Sequence, residues 1–354
     1  MRKFFNNLKK CLIGVGVGAN LCTILMLWAC VACAYVSPDI LPRLSIACLA
    51  FPVCVVINLL FGVVWLLTQP RLIVVPLIGI LCVTPYLLDY SPIHLTHEKY
   101  TDSALCVVTF NAGCLKREDF DTLTAFIERL DPDIICFQEI NGDWKWDEKV
   151  LEMTHRSGYE RIFRGGREIY SRCPVLRDSI SVPFPTRTNG CTACILDIHG
   201  DSVALFNCHL ESNHLEIQEK DEYREMLKDP QEDKVRKSGQ LLTDKLAKSA
   251  SFRGQQTDTL CQWIDEHPRT SIILCGDFND TPISYSCLQF GRRLQSAFRE
   301  AGSGVGFSYN QSGFPVRIDH IYSSADWQAV RTYVDNTIDI SDHYPLVTYL
   351  KANK

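Results

Sequence analysis

Six short polar segments each close or follow an apolar run in the part of the chain beyond residue 100. They are Thr109-Phe110-Asn111, Phe137-Gln138-Glu139, Asn207-Cys208-His209-Leu210, Gly276-Asp277-Phe278-Asn279, Arg317-Ile318-Asp319-His320 and Ser341-Asp342-His343. Together they carry Asn, Glu, Asp and His, a set suited to a hard divalent cation, a general base and donors facing a phosphate. Glu139, after Ile134-Ile135-Cys136-Phe137, is a natural ligand for Mg²⁺, which prefers oxygen and often takes only one or two carboxylates. Asn111 can orient Glu139, touch a phosphate oxygen, or simply make the turn before Ala112-Gly113. Asp277 and Asn279 flank Phe278, so period-two alternation sets both on one face. There Asp can align or deprotonate a water, and Asn can donate to a nonbridging phosphate oxygen. Gly276 lets the backbone approach closely. His343 precedes the last apolar run, poised for acid–base work near neutral pH, and Asp319 can fix its tautomer. His209 is a second histidine in such a place. Arg164, Arg167 and Arg172 gather around Gly165-Gly166, where planar guanidinium forks suit phosphate or a solvated surface equally.

The runs that must position these groups are short and rich in Val, Ile, Cys and Phe: residues 104–110, 134–137, 193–198, 203–207, 271–275, 318–322 and 346–350. Such runs read as buried strands. Leu123, Phe126, Ile127 and Leu130 recur at helical spacing before Asp131-Pro132, which predicts a helix over 120–130. Residues 215–267 hold one or two long charged helices. The link through His199-Gly200-Asp201 is too short for a crossover, so its strands are antiparallel. Strands mixed with helices in this way indicate a layered α/β sandwich rather than a doubly wound parallel sheet.

Ahead of this domain, the 354-residue chain changes character. Residues 11–36, 45–67 and 72–88 carry no charged side chain. A spanning helix needs about 20 apolar residues, and about 17 at the least. Residues 1–90 therefore read as an anchor of three transmembrane helices, the third marginal in length. Residues 91–102 read as a linker and 103–354 as the catalytic domain. The first run is longer than the core of a secretory signal, and Pro52 and Pro76 are tolerated in membrane helices. Arg2, Lys3, Lys9 and Lys10 precede the first run, which places the N-terminus in the cytoplasm. Three crossings then put the catalytic domain outside the cytoplasmic membrane; two would return it. The net charge of −5 argues against a strongly electropositive nucleic-acid groove. Of seventeen cysteines, Cys191 and Cys194 form a CxxC with no second pair or matched histidine, which argues against zinc. In an exported domain, disulfides would be permitted.

FNAG, DIICFQE, IYSRCP, NCHLES, CGDFND, RIDHI and SDHYP follow one another over residues 103–350. In that order they make the chain resemble the endonuclease/exonuclease/phosphatase superfamily, which includes deoxyribonuclease I, abasic-site endonucleases and bacterial sphingomyelinases. The resemblance implies a four-layered sandwich of two mixed β-sheets flanked by helices, with the site at one rim. It also implies cleavage of a phosphoester with Mg²⁺ or Mn²⁺. Carried over by position, Asn111 and Glu139 match the first metal cluster. Asp342 with His343 matches the closing pair, Asp342 being taken as a further metal ligand. His209 matches a strand-end histidine, Asp277 and Asn279 the water-aligning Asp and phosphate-binding Asn, and Asp319 the partner of His343. Arg164 and Arg167 stand as substrate-binding candidates. The tyrosine that abasic-site enzymes place before the SR pair has no counterpart here, which argues against abasic-site repair. The anchor makes the chain similar to a branch of teicoplanin-resistance membrane phosphatases, implying a phosphorylated lipid or envelope substrate. The competing expectations are a membrane-tethered nuclease acting on DNA or RNA and an inactive interaction module. The expected partners are a phosphorylated substrate (lipid-linked, nucleic acid or small phosphoester) and the lipid bilayer, with no obligatory protein partner.

Overall fold

The computed structural model describes residues 1–94, 104–113, 115–140, 144–186, 189–213, 232–311 and 315–353. Most of the expected linker and the first part of the expected 215–267 helical stretch lie outside the described residues. Twelve strands follow in chain order: β1 (Leu105–Asn111), β2 (Ile134–Gln138), β3 (Glu160–Arg164), β4 (Arg167–Ser171), β5 (Val175–Arg177), β6 (Gly190–Ile198), β7 (Asp201–His209), β8 (Ser271–Asp277), β9 (Gln295–Ser296), β10 (Asp319–Ser323), β11 (Trp327–Val334) and β12 (Leu346–Ala352). They form two mixed sheets, ordered β11-β12-β1-β2-β4-β3 and β5-β6-β7-β8-β10-β9. Each sheet holds one parallel pair, β1/β2 and β7/β8, at its centre. A parallel pair needs a long crossover, and the helices Phe120–Leu130 and Glu232–Glu266 lie on those two connections. The β6–β7 hairpin turns at His199 and Gly200, both at positive φ, as the twist of a tight hairpin favours.

Alternation distributes the side chains of the central strands. Leu105, Val107, Cys136, Leu205 and Ile273 meet in the core between the sheets. Cys106, Val108, Phe110, Ile135 and Phe137 face outward with Leu123, Phe126 and Val150 of the covering helices. On the other sheet, Phe206, Ile272 and Leu274 meet Leu260, Cys261 and Ile264 of the long helix. The result is the expected four-layered sandwich. Strands buried on both faces read as continuous apolar runs, so β1, β2, β7 and β8 were visible in the sequence. The short, exposed edge strands β3 and β5 were not.

Among the described residues, two N-terminal segments are long and apolar enough to cross a membrane, Lys3–Cys33 and Pro42–Thr68. The third run is not one straight helix: Pro70–Leu81 and Thr84–Tyr90 meet at a 63° bend, just ahead of Pro85, which restricts the backbone before it. Asn20 Nδ2 donates to Asn58 Oδ1 at 3.0 Å, Trp65 Nε1 donates to Asn20 Oδ1 at 3.1 Å, and Trp28 Nε1 donates to the Gly79 carbonyl at 3.2 Å. Leu12, Leu25, Leu59, Leu60 and Leu67 point outward, exposed. The anchor also docks on the sandwich. Cys48, Phe51 and Tyr90 pack with Ile283. Arg43 pairs with Asp244 at 2.7 Å, and the buried Arg317 donates to the carbonyls of Asp89 and Val305 at 2.5 and 2.7 Å.

Candidate functional site

The inward rows of the central strands change from apolar to polar at one rim. Val107 leads to Thr109 and Asn111, Cys136 to Gln138, Leu205 to Asn207 and His209, and Cys275 to Asp277. Pairing aligns the ends: Asn111 opposite Gln138, His209 opposite Asp277, and Asp277 opposite Asp319. These are the carboxyl ends of both parallel pairs, where open α/β sheets place their ligands.

Asp277 is the hub. Its Oδ2 accepts from Asn111 Nδ2 at 2.9 Å and lies 3.6 Å from His209 Nε2 and 3.8 Å from His343 Nε2. Asn111 Nδ2 also donates to Glu139 Oε1 at 3.1 Å, and that oxygen is 3.4 Å from His209 Nε2. His343 Nδ1 and Asp319 Oδ2 are 2.8 Å apart. Asn279 donates its backbone N–H to Asp277 Oδ1 at 2.8 Å. Below the rim, Gln138 Nε2 donates to Asn207 Oδ1 at 2.7 Å, and Asn207 Nδ2 donates to the carbonyls of Phe137 and Glu168, both at 2.9 Å. This amide pair ties one sheet to the other directly beneath the site.

The local backbone is specialised. Glu139 (φ 58°) and Asn279 (φ 52°) are two of four non-glycine residues with positive φ among those described; such strain gathers at functional sites. Gly276, at φ 139°, lets β8 pass so close to β7 that a Cβ would lie 1.8 Å from the Cys208 carbonyl oxygen. A Cβ at Gly113 would come within 2.4 Å of Glu139 Oε2. Ser341 Oγ lies 2.9 and 2.8 Å from the carbonyls of Asn111 and Gly113, joining the last loop to β1.

Burial raises the pKa of Asp277, against the lowering pull of His343. Burial alone would discharge His343, but Asp319 and Asp277 override it and hold the imidazole up to about 10. His343 therefore carries its proton at neutral pH. His320 goes the other way: burial and Arg317 push it down to about 3. Its Nε2 is 2.9 Å from the Asp280 carbonyl, and its ring lies against Phe278, inside the core.

The donor set fits a cation. Glu139, His209 and Asp277 offer ligand atoms within 4.8 Å of one another, as do Asp277, Asp319 and His343. His209 Nε2 is buried and makes no hydrogen bond, and Asp319 Oδ1 is likewise unpartnered. Two carboxylates beside an imidazole whose Nε2 makes no hydrogen bond suit a divalent ion.

Of the residues singled out from sequence, Asn111, Glu139, His209, Asp277, Asn279, Asp319 and His343 converge. Asp342 lines the adjoining cavity with His343 and Glu139. Arg164 and Arg167 do not line that cavity. Arg164 sits on the exposed β3–β4 hairpin, 3.7 Å from Asp178. Arg167 is wedged under Gly190, whose Cβ would stand 3.0 Å from its Nη2. Arg253, outside the segments singled out from sequence, is buried on the cavity wall. It donates to the Glu211 carbonyl and to Asn213 Oδ1, both at 2.9 Å. Tyr309 presents its ring edge-on to His343 at 5.1 Å; no sequence signal marks it.

Comparison with known proteins agrees with this geometry. The Endonuclease/Exonuclease/phosphatase family matches residues 108–343, and residues 9–90 match a family described as a domain of unknown function, DUF8431. No curated protein matches the chain. An endonuclease/exonuclease/phosphatase family protein from Bacteroides thetaiotaomicron has a similar fold, with TM-score 0.50 and 18% identity over 72% of this chain and 100% of that one. The human Nocturnin catalytic domain with bound sulfate gives 0.52 and 17%, over 72% and 96%. A humanized D. rerio TDP2 gives 0.51 and 15%, over 71% and 100%. At these identities the likeness is one of fold. The chain belongs to the Endonuclease/Exonuclease/phosphatase family.

Proposed function

From that membership we propose that the chain is a membrane-anchored phosphoesterase that uses Mg²⁺ or Mn²⁺ and acts on a lipid-linked or envelope phosphoester. The observation that carries this reading is Asp277, shared between two groups of possible ligands at the joined ends of both sheets. Glu139 would hold the cation, with Asn111 and Asp342 close by. A bound divalent ion supplies polarisation of the phosphoryl oxygen and offsets its developing charge. Asp277, with its raised pKa, aligns a water and receives its proton. His343, kept protonated by Asp319 and Asp277, donates to a phosphate oxygen. His209 and Asn279 are further donors to the phosphate, and Asn111 orients Glu139.

The anchor is proposed to cross the membrane three times, the bent pair serving as the third span. Support comes from where the chain returns. Ile24 and Trp28 touch Gly79, and Phe51 meets Tyr90. The 70–90 segment thus runs back toward the first interhelical loop, and that loop and residues 85–94 contact the same catalytic domain. With the basic N-terminus inside, the site faces outward. The test is the full-length chain in detergent micelles with Mg²⁺. Phosphorylated lipids, duplex DNA and a chromogenic diester should show turnover that chelation abolishes, with lipids preferred. Preference for DNA would replace this reading with the nuclease one. No turnover of any substrate would leave an interaction module.

A further inference from the structure

The cavity beside Asp277 and His343 is not walled by the catalytic domain alone. It measures 540 Å³, and its lining runs without a break from Glu139, Asp277, Asn279 and His343 to residues of the anchor: Pro38, Ile46, Leu49 and Pro52. That volume is within the usual range of ligand sites, roughly 300–1,000 Å³. Leu242, Leu246 and Ala250 of the long helix complete the apolar side. One end of the cavity is thus polar and reactive, and the other is apolar and begins at the head of a candidate membrane span.

The join is held firmly. Arg43 pairs with Asp244 at 2.7 Å. Asp39 Oδ1 accepts from Ser251 Oγ and Gln255 Nε2 at 3.0 and 2.6 Å. A Cβ at Gly254 would meet Pro38 at 3.1 Å. These contacts seat the first interhelical loop and the head of the Pro42–Thr68 segment against the long helix, so the groove between them has two walls. Leu41 of the loop, Leu44 and Leu49 at the head of the second candidate span and Leu241 of the long helix remain exposed beside it. Exposed apolar side chains on both lips, next to a segment that enters a bilayer, suit an apolar chain sliding in from the membrane.

We propose that the anchor is part of the substrate site: the groove between the 46–52 segment and the 242–250 face of the long helix holds the apolar chain of a membrane lipid. Its phosphoester reaches Asp277 and His343 at the polar end. This rests on the phosphoesterase reading above and adds a specificity element to it. The occupant is one molecule bearing both parts, because the cavity is continuous and its two ends differ in polarity.

The test uses the full-length chain in nanodiscs with Mg²⁺ and two probes that share a leaving group, p-nitrophenyl ethyl phosphate and p-nitrophenyl dodecyl phosphate. Hydrolysis of either adds water at phosphorus, breaks the aryl P–O bond and gives p-nitrophenolate, the alkyl phosphate and a proton. The expected kcat/KM ratio favours the dodecyl probe at least ten-fold. Leu49→Gln and Leu246→Gln should each lower that ratio at least three-fold, while Leu67→Gln, exposed at the far end of the span, should leave it unchanged. Leu49 is itself exposed, so its substitution does not endanger folding. Equal turnover of both probes, or a ratio that ignores Leu49→Gln and Leu246→Gln, would overturn the tail site while leaving the phosphoesterase reading intact. Absence of turnover on both probes would remove both.

Discussion

Asn20 and Asn58 lie fully buried between apolar helices of the anchor, and each is engaged. Asn58 receives the Asn20 amide and gives its own to the Cys54 carbonyl at 2.8 Å, while Asn20 Oδ1 takes the Trp65 indole. At the rim of the candidate site, by contrast, His209 Nε2 and Asp319 Oδ1 are buried and make no hydrogen bond. Both regions hold polar groups out of water, but only the rim leaves polar atoms open. A closed network sets register between helices. An open one holds desolvated groups that a ligand can complete, because an unsatisfied buried polar group is costly.

The comparison breaks most sharply at the hub. Glu139→Ala and His343→Ala should each lower turnover about 10³-fold or more, the scale of lost acid–base and electrostatic stabilisation, with the thermal unfolding curve little changed. Near-normal turnover in either would return the rim to the status of the anchor network. Gly276→Ala should destabilise the catalytic domain by more than about 2 kcal/mol, because the new methyl collides with the Cys208 carbonyl; chemical denaturation reads this directly. Gly113→Ala crowds Glu139 Oε2 and should weaken divalent-cation affinity about 10- to 100-fold, measured by calorimetry with little change in fold. Asn58→Leu should cost the helix pair about 0.6–2 kcal/mol, seen as a lower unfolding midpoint in micelles, while kcat stays within about two-fold. Arg164→Ala should do least, under about two-fold in kcat/KM, since its exposed pairing with Asp178 contributes little.

The sandwich was legible because its central strands are buried on both faces and so appear as unbroken apolar runs. The site was legible because Asn111, His209 and Asp277 prolong the inward rows of those same strands. Other parts left weaker traces. β3 buries only Ile162 in the run Glu160-Arg161-Ile162-Phe163-Arg164, which reads as surface, and Arg164 at its end therefore looked free for phosphate. Arg253 carried no signal of its own, lying in a long charged helical stretch. That its side chain walls the cavity depends on how the long helix packs on the sheet, a tertiary fact. The bend at Cys82-Val83 and the docking of the first loop on the long helix are likewise set by contacts far apart in sequence.

The most direct measurement is divalent-cation binding by the full-length protein in micelles, read by Mn²⁺ electron paramagnetic resonance, for the native chain and for Glu139→Gln. The expected result is a bound Mn²⁺ signal that Mg²⁺ competes away and that Glu139→Gln weakens at least ten-fold. Equal Mn²⁺ binding by both proteins, or none by the native chain, would contradict a metal site at the rim.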